Sequence, residues 1–183
     1  KHSIPLFISE RNDPRKEPKE WYYRFLRKFC CPKAQGIVFQ TRHAQSFFPV
    51  PIQKKSKIIL NPLSIPPVRE IETAPKARII TVGTLDERKN HALLIQTFES
   101  IKDHFSGHTL EIYGEGFKRP NLEAQIEALD LQERVILHGR VSNVTEKIKD
   151  ASVFVFTSIY EGLPNAVMEA MAVGVPVIVT PYG

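Results

Sequence analysis

The chain has 183 residues, of which 42% are hydrophobic and 25% are charged, a balance that supports a packed core and excludes an intrinsically disordered chain. Its longest apolar stretches, 151–156 and 173–179, are far shorter than the roughly 20 residues of a membrane-spanning helix, so no segment is expected to cross a membrane. The net charge of +5 is uneven, because residues 1–66 carry +9 and residues 67–183 carry −4, and the acidic second part argues against nucleic-acid binding as the main function.

The first part of the chain has the pattern of a partial α/β layer. Apolar runs predict its strands, and apolar residues at helical spacing predict its helices. The strands are expected at 4–9, 36–40 and 57–60, and the helices around 20–30 and in a short stretch that ends at Phe48. Residues 61–67 contain three prolines, which continue neither a helix nor a central strand. We therefore place a domain boundary between residues 66 and 67.

The second part alternates strictly between strands and helices. The strands are expected at 78–82, 109–113, 135–138, 153–157 and 175–179, and the helices at 91–105, 121–129, 145–150 and 164–172. This order predicts right-handed βαβ units in a Rossmann-like, doubly wound parallel sheet. Ligands of such sheets bind beyond the carboxyl ends of the strands. The loops of interest are therefore 83–90, 114–119, 139–144 and 157–165.

The last of these loops has the composition of an anion-binding helix start. Its turn consists of Gly162, Leu163, Pro164 and Asn165. Pro164 suits the first helical position, where its missing N–H costs nothing, and Gly162 allows a phosphate or sugar oxygen to approach the free N–H groups of the turn. Glu161 and Glu169 would repel a bare anion, so the ligand should carry hydroxyl groups as well as phosphates. The alternative is that Glu161 only caps the turn and Glu169 is a solvated helix residue.

The same segment resembles a known family. The run from Tyr160 to Ile178 reads YEGLPNAVMEAMAVGVPVI, with seven residues between Glu161 and Glu169. It resembles the E-x7-E motif of the family-four retaining glycosyltransferases, which have the GT-B fold. The resemblance implies that Glu169 binds the ribose hydroxyls of the donor nucleotide and that Glu161 contacts the donor sugar.

The loop at 83–90 resembles the diphosphate-binding loop of that family. Members usually show Gly-Arg-Leu and then a lysine five positions after the arginine, and both cations bind the donor diphosphate. Gly83 and Lys89 match this pattern, whereas Thr84 stands in place of the arginine. Either Arg88 supplies the missing charge from the other side of the loop, or Thr84 bonds a phosphate oxygen while affinity or rate falls.

Two further loops are candidates for contact with the donor. Gly114 and Gly116 resemble a turn of the family in which the backbone skirts the donor. A nicotinamide-binding turn would need a third glycine by position 119, where the chain has Arg119, so the sequence argues against that cofactor. The resemblance makes Arg140 and Val141 candidates for contact with the base.

No cofactor and no essential metal are expected. The six histidines show no metal-ligand spacing, and the chain has neither a Walker-type phosphate loop nor an Asp-x-Asp motif. The resemblance implies that cationic side chains and helix dipoles serve where other glycosyltransferases use a divalent ion.

Residues 11–33 combine cations with aromatic side chains at helical spacing. One interpretation is a core-facing helix with a solvated basic face, and the alternative is docking on an anionic membrane. Residues 8–14 and 36–41 resemble the end of the acceptor domain in bacterial surface-polysaccharide enzymes of the same family, which suits a lipid-linked acceptor. Cys30 and Cys31 are the only cysteines, and because neighbouring cysteines pair poorly, they favour a reducing, cytoplasmic setting.

These features together predict a retaining glycosyltransferase. Residues 1–66 would be the end of the acceptor domain and the interdomain linker, and residues 67–183 a donor-binding domain truncated at its C-terminus. The intact enzyme would transfer a hexosyl group from a nucleotide diphosphate sugar to a sugar or lipid-linked acceptor during capsule, lipopolysaccharide or other surface-polysaccharide synthesis. It would act in the cytoplasm, at the inner face of the membrane, and this part alone would be inactive.

Two other functions compete with this interpretation. The first is a GT-B nucleotide-sugar epimerase, which would share the fold and the phosphate-binding turn, although the E-x7-E run argues against it. The second is a non-catalytic basic module that binds nucleic acid or membrane through residues 1–66.

Overall fold

The computed structural model describes residues 4–63 and 75–181, and contacts divide the chain into two compact α/β units. Unit 1 comprises Lys1–Pro62 and Tyr160–Pro164, and unit 2 comprises Leu63–Ile159 and Asn165–Gly183. The predicted boundary between residues 66 and 67 lies outside the described residues. The segment Tyr160–Pro164 belongs by its contacts to unit 1, although a strand of unit 2 precedes it.

Unit 1 is built on three parallel strands in the order β1-β2-β3. The strands are β1 (Phe7–Glu10), β2 (Gly36–Phe39) and β3 (Ser56–Ile58), and the helices are α1 (Trp21–Lys33), α2 (Arg42–Ser46) and α3 (Val50–Lys54). The predicted partial α/β layer is thus confirmed. Helix α3 is not predicted from the sequence, because Pro49 and Pro51 are typical of a loop, yet proline also fits the first turn of a helix. The first strand begins at Phe7, three residues later than predicted.

Unit 2 is a five-stranded, fully parallel sheet in the order β6-β5-β4-β7-β8. The strands are β4 (Lys76–Val82), β5 (Thr109–Tyr113), β6 (Val135–Gly139), β7 (Ala151–Phe156) and β8 (Val177–Val179), and the helices are α4 (His91–Ile101), α5 (Arg119–Ala128), α6 (Val144–Ile148) and α7 (Asn165–Ala172). The strand order reverses beside β4, whose neighbours are β5 and β7. This confirms the Rossmann-like doubly wound sheet, with its switch point between β4 and β7.

The two faces of this sheet carry separate apolar clusters. Successive side chains of a strand point to opposite faces, so Ile79 joins one cluster and its neighbour Ile80 joins the other. The first cluster includes residues of α4 and α5, namely Leu94, Ile95, Phe98, Leu122 and Ile126. The second includes residues of β7 and α7, namely Phe154, Phe156, Val167 and Ala170. Each fully buried large apolar side chain contributes about 1.5–3 kcal/mol, so both faces stabilise the sheet.

The predicted elements of unit 2 differ from the observed ones mainly in their bounds. The helix predicted at 91–105 ends at Ile101, and turns follow it as far as Gly107, whose φ of +85° favours glycine. The helix predicted at 164–172 begins at Asn165, so Pro164 precedes the helix instead of opening it. Among the described helices, none is long and apolar enough to cross a membrane.

Candidate functional site

The loop after β4 presents a lysine at the switch point of unit 2. The Lys89 backbone N–H donates to Asp86 Oδ1 at 3.0 Å, and the lysine stem lies along Gly83, where an added Cβ would be 3.0 Å from Lys89 Cδ and Cε. The Lys89 ammonium stands 4.5 Å from the centroid of the Phe156 ring, and Phe156 is the last residue of β7. The lysine charge is therefore held at the edge where β4 and β7 end.

The loops after β4 and β7 are tied together by hydrogen bonds. Thr157 Oγ1 donates to the carbonyl oxygens of Lys89 and Asn90, at 3.0 and 3.2 Å. The Ile159 N–H donates to the Arg88 carbonyl at 2.8 Å. Because Thr157 is buried, the backbone around Lys89 is fixed to β7 as well as to its own strand.

The two residues that could take over the role of the family's arginine, Thr84 and Arg88, differ in their surroundings. Thr84 is exposed, and its carbonyl accepts a hydrogen bond from the Asp86 N–H at 2.8 Å. Arg88 is half-buried, and its guanidinium lies 3.9 Å from Asp86 Oδ2. The Arg88 charge is therefore shared with a carboxylate of its own loop, and the choice between Arg88 and Thr84 stays a prediction.

A buried histidine next to this loop was not foreseen from the sequence. His91 opens α4 and is 2% exposed. Burial, and secondly the charge of Lys89, lower the pKa of His91 to about 4, while the backbone of Thr84 and Gly83 opposes this shift. Neither ring nitrogen forms a regular hydrogen bond with the described residues. The imidazole is therefore neutral at physiological pH and adds no second charge beside Lys89.

The Gly-Glu-Gly turn packs directly against the lysine loop. Gly114 has a φ of +150°, and a Cβ added there would lie 1.9 Å from the Gly83 carbonyl oxygen. A Cβ added at Gly116 would lie 2.3 Å from the Leu85 carbonyl oxygen. The Leu85 N–H donates to the Glu115 carbonyl at 3.0 Å. Both glycines are thus required by the close approach of two protein loops, a reason that the sequence alone does not show. Their contact with the donor stays a prediction.

The loop after β6 carries the two residues predicted to contact the base. Arg140 is exposed. Val141 is half-buried and packs against the cluster around Ile80 and Phe154. Arg140 is therefore accessible to a ligand, whereas part of Val141 serves the core.

The predicted anion-binding turn is placed mainly by contacts within unit 1. The Tyr160 hydroxyl donates to Glu17 Oε1 at 2.8 Å. A Cβ added at Gly162 would lie 2.4 Å from the Arg11 carbonyl oxygen, so the space beside this glycine holds protein backbone. Glu161, Leu163 and Pro164 are half-buried, as is Glu169 in α7, and Asn165 is exposed. The roles predicted for these residues stay predictions.

The structure brings part of the predicted site together in unit 2. Gly83, Lys89, Gly114 and Gly116 are joined by the direct contacts of the two loops described above. Arg140 and Val141 follow β6 at the same sheet edge, because parallel strands end on one side. Residues 4–63 and 75–181 contain no cluster of three or more His, Cys, Asp or Glu side chains that could hold a metal ion.

Comparisons with known proteins identify the family. Residues 67–183 match the family described as glycosyl transferases group 1. The chain is 30% identical over 189 residues to an uncharacterized glycosyltransferase of Methanocaldococcus jannaschii, covering 93% of this chain and 46% of that protein. It is 32% identical over 168 residues to a Campylobacter jejuni enzyme, and the match covers 87% of this chain and 45% of that enzyme. That enzyme is named N-acetylgalactosamine-N,N'-diacetylbacillosaminyl-diphospho-undecaprenol 4-alpha-N-acetylgalactosaminyltransferase. The chain thus spans less than half the length of these curated relatives.

A solved structure supports the fold assignment. A crystal structure of a mutant TarM from S. aureus, in complex with Fondaparinux, alpha-GlcNAc-glycerol and UDP, matches with a TM-score of 0.83 at 20% identity, covering 96% of this chain and 36% of that chain. At this identity the likeness concerns the fold, which is that of the GT-B glycosyltransferases. Because the family match covers residues 67–183, well over half of the sequence, the chain belongs to the glycosyl transferases of group 1.

Proposed function

We propose that this chain contains the donor-binding unit of a retaining glycosyltransferase, which transfers a hexosyl group from a nucleotide diphosphate sugar to a sugar or lipid-linked acceptor. The observation that carries the proposal is the position of Lys89, whose ammonium stands at the β4–β7 switch point, 4.5 Å from the Phe156 ring. Ligands of doubly wound sheets bind at such switch points. A cation there suits a diphosphate.

The reaction needs help mainly at the leaving group. Negative charge builds on the diphosphate as the bond from the anomeric carbon to the phosphate oxygen breaks, and a preorganised cation stabilises that charge. We assign this role to Lys89. The acceptor hydroxyl forms the new bond on the same face of the sugar and gives its proton to a donor phosphate oxygen, so the anomeric configuration is kept. In this scheme no metal ion is required.

The comparisons suggest which substrates to test first. UDP is named with the TarM structure, and the Campylobacter relative is named for a diphospho-undecaprenol acceptor and an alpha-linked N-acetylgalactosamine. We therefore propose UDP-hexoses as the donor class and a lipid-linked oligosaccharide as the acceptor class. Residues 1–66 would contribute to the acceptor side and residues 67–183 to the donor side. Because the chain spans less than half the length of its relatives, we expect it to bind donor but transfer little sugar by itself.

A lipid-linked acceptor would place the enzyme at a membrane surface, on the cytoplasmic side, and α1 is the element that suits such contact. Its large exposed hydrophobic side chains are Trp21, Tyr22, Tyr23, Phe25, Leu26 and Phe29. Exposed cations such as Arg24 and Lys28 lie among them in the helix. Aromatic rings and basic side chains together favour an anionic lipid interface.

The proposal is tested by measuring nucleotide affinity by calorimetry. UDP should bind the chain. Lys89→Met should lower the affinity for UDP at least tenfold, because a charge-assisted hydrogen bond contributes roughly 1.5–3 kcal/mol. The affinity for uridine, which has no phosphate, should change little. Lys102→Met is the matched control, since Lys102 follows the far end of α4 and pairs with Glu99 at 3.7 Å. If neither UDP nor GDP, ADP or dTDP binds, or if both variants behave alike, the donor site is misplaced.

A further inference from the structure

The ammonium of Lys89 rests on an aromatic face. Lys89 Nζ lies 4.5 Å from the Phe156 centroid, and Phe156 is 2% exposed, within the core cluster that also contains Ile80 and Phe154. The lysine stem also runs along Gly83, which has no side chain to displace it. The side chain of Lys89 therefore lies on a surface that β4 and β7 build together.

An aromatic ring is a suitable support for a cation that must bind an anion. The negative face of the ring attracts the ammonium, and this attraction is larger where water is excluded. A ring attracts the ammonium through its face without adding a negative charge that would repel a diphosphate. A lysine has a flexible four-carbon stem, so a support that restricts its conformations also lowers the entropy lost when a ligand binds.

We propose that Phe156 is a positioning residue for Lys89 in donor binding. Its ring holds the ammonium in the orientation that meets the donor diphosphate, and the ligand approaches from the side opposite the ring. The end of β7 thus fixes Lys89 twice, because Thr157 holds its backbone carbonyl at 3.0 Å and Phe156 holds its side chain. This inference rests on the proposed role of Lys89 as the diphosphate ligand.

Phe156 is also a core residue, so the test must weaken the ring's electrostatics without changing its shape. Phenylalanine with one, two or three ring fluorines provides such a series, because fluorine withdraws electron density from the face while the side chain keeps nearly the same size. UDP affinity should fall stepwise, by about three- to tenfold at three fluorines, which is the range of a partly desolvated cation–π contact. Uridine affinity should not change.

Two controls separate positioning from packing. The same fluorinated residues at Phe154, which is 0% exposed and has its ring centroid 6.3 Å from that of Phe156, should leave UDP affinity unchanged. In a Lys89→Met background the Phe156 series should also have no effect on UDP, since the cation is absent. Phe156→Leu, checked for its melting temperature, gives the same comparison with a natural residue.

The outcomes distinguish this inference from the proposed function. If Lys89→Met weakens UDP but the Phe156 series does not, Lys89 binds the diphosphate without help from the ring, and the inference is wrong. The same conclusion follows if the Phe156 series weakens UDP equally with and without Lys89. If Lys89→Met leaves UDP affinity unchanged, both the role of Lys89 and the inference fail.

Discussion

Gly114 sets the distance between the two loops that form the candidate site in unit 2. Its φ of +150° is a conformation that other residues rarely adopt, and an added Cβ would lie 1.9 Å from the Gly83 carbonyl oxygen. Neither the backbone of Gly83 nor that of Gly114 can move without disturbing the ends of β4 and β5. A single hydrogen atom in place of a methyl group therefore decides whether Gly83, and with it Lys89, keeps its place.

The corresponding prediction is that Gly114→Ala lowers the free energy of unfolding by about 3 kcal/mol or more, from backbone strain together with overpacking. Gly107→Ala is the matched control, because Gly107 also has a positive φ, of +85°, but nothing lies within 4 Å of an added Cβ. Strain alone should cost about 1 kcal/mol there. Urea denaturation of both variants measures the difference, and equal losses would show that the two loops can separate freely.

The two glutamates of the E-x7-E run should differ in the part of the donor that they bind. Glu169→Ala should lower the affinity for UDP about tenfold or more, because it removes charge-assisted hydrogen bonds to the ribose hydroxyls. Glu161→Ala should leave the affinity for UDP unchanged and lower the affinity for a UDP-hexose, because Glu161 is expected to contact the sugar. Calorimetric titration with both ligands separates these effects, with the exposed Glu127 of α5 replaced by alanine as control. Equal losses for both ligands at Glu161, or none at Glu169, would return both residues to a structural role.

Strands β4, β5 and β6 are joined by a polar network on one face of the sheet. Arg78 Nε donates to Glu111 Oε1 at 2.7 Å, and Arg78 Nη2 donates to Glu111 Oε2 at 2.7 Å. The Tyr113 hydroxyl donates to Glu111 Oε2 at 2.7 Å, and His138 Nε2 lies 2.8 Å from the same oxygen. Hydrogen bonding from Arg78, against the opposing effect of burial, lowers the pKa of Glu111 from 4.5 to about 2. The network therefore stabilises the sheet through an ionised carboxylate.

This network predicts a specific pH dependence of stability. Because the folded-state pKa of Glu111 is lowered, its contribution is complete above about pH 4.5 and is lost as the pH falls toward 2. Glu111→Gln should lower the unfolding free energy by about 2–3 kcal/mol at pH 7. The difference between parent and variant in urea denaturation should shrink steadily below pH 4.5. A difference that stays constant down to pH 2.5 would show that the charge of Glu111 does not stabilise the sheet.

Charge is distributed unevenly over the chain, with +9 on residues 1–66 and −4 on residues 67–183. The basic part includes α1, where Trp21 is 76% and Phe25 is 54% exposed. Basic residues near an anionic membrane contribute about 1 kcal/mol each, and the attraction weakens with salt. Contact with a membrane should therefore depend on α1 and on lipid charge together.

We accordingly predict that the protein sediments with vesicles of phosphatidylcholine and phosphatidylglycerol and much less with phosphatidylcholine alone. Replacing Trp21 and Phe25 by alanine should reduce this binding several-fold, and raising the salt concentration should reduce it further. Phe117→Ala is the control, because Phe117 is 69% exposed but belongs to unit 2. Equal binding to both kinds of vesicle, or equal loss with Phe117→Ala, would contradict the role of α1.

Local patterns in the sequence are sufficient for the fold class, and a short motif indicates the candidate lysine, whose role stays a prediction. Apolar runs of four to six residues, alternating with segments of helical periodicity, predict parallel βαβ units, because each pattern reflects burial of one element's own faces. Lys89 and Glu169 were identified by a family resemblance carried by short motifs. The bounds of helices and strands are less predictable, because a helix end depends on a few backbone hydrogen bonds. The helix predicted to begin at Pro164, for example, begins at Asn165.

The contacts that arrange the site are long-range, and only the folded chain contains them. Phe156 lies 67 positions after Lys89, and nothing in its neighbours along the chain indicates that its ring supports the Lys89 ammonium. Gly114 and Gly83 similarly meet only because β5 pairs with β4. Strand order determines which loops become neighbours at the sheet edge, and strand order results from the packing of all strands and helices at once. The chemistry of the candidate residues is therefore local, whereas their positions are a property of the tertiary structure.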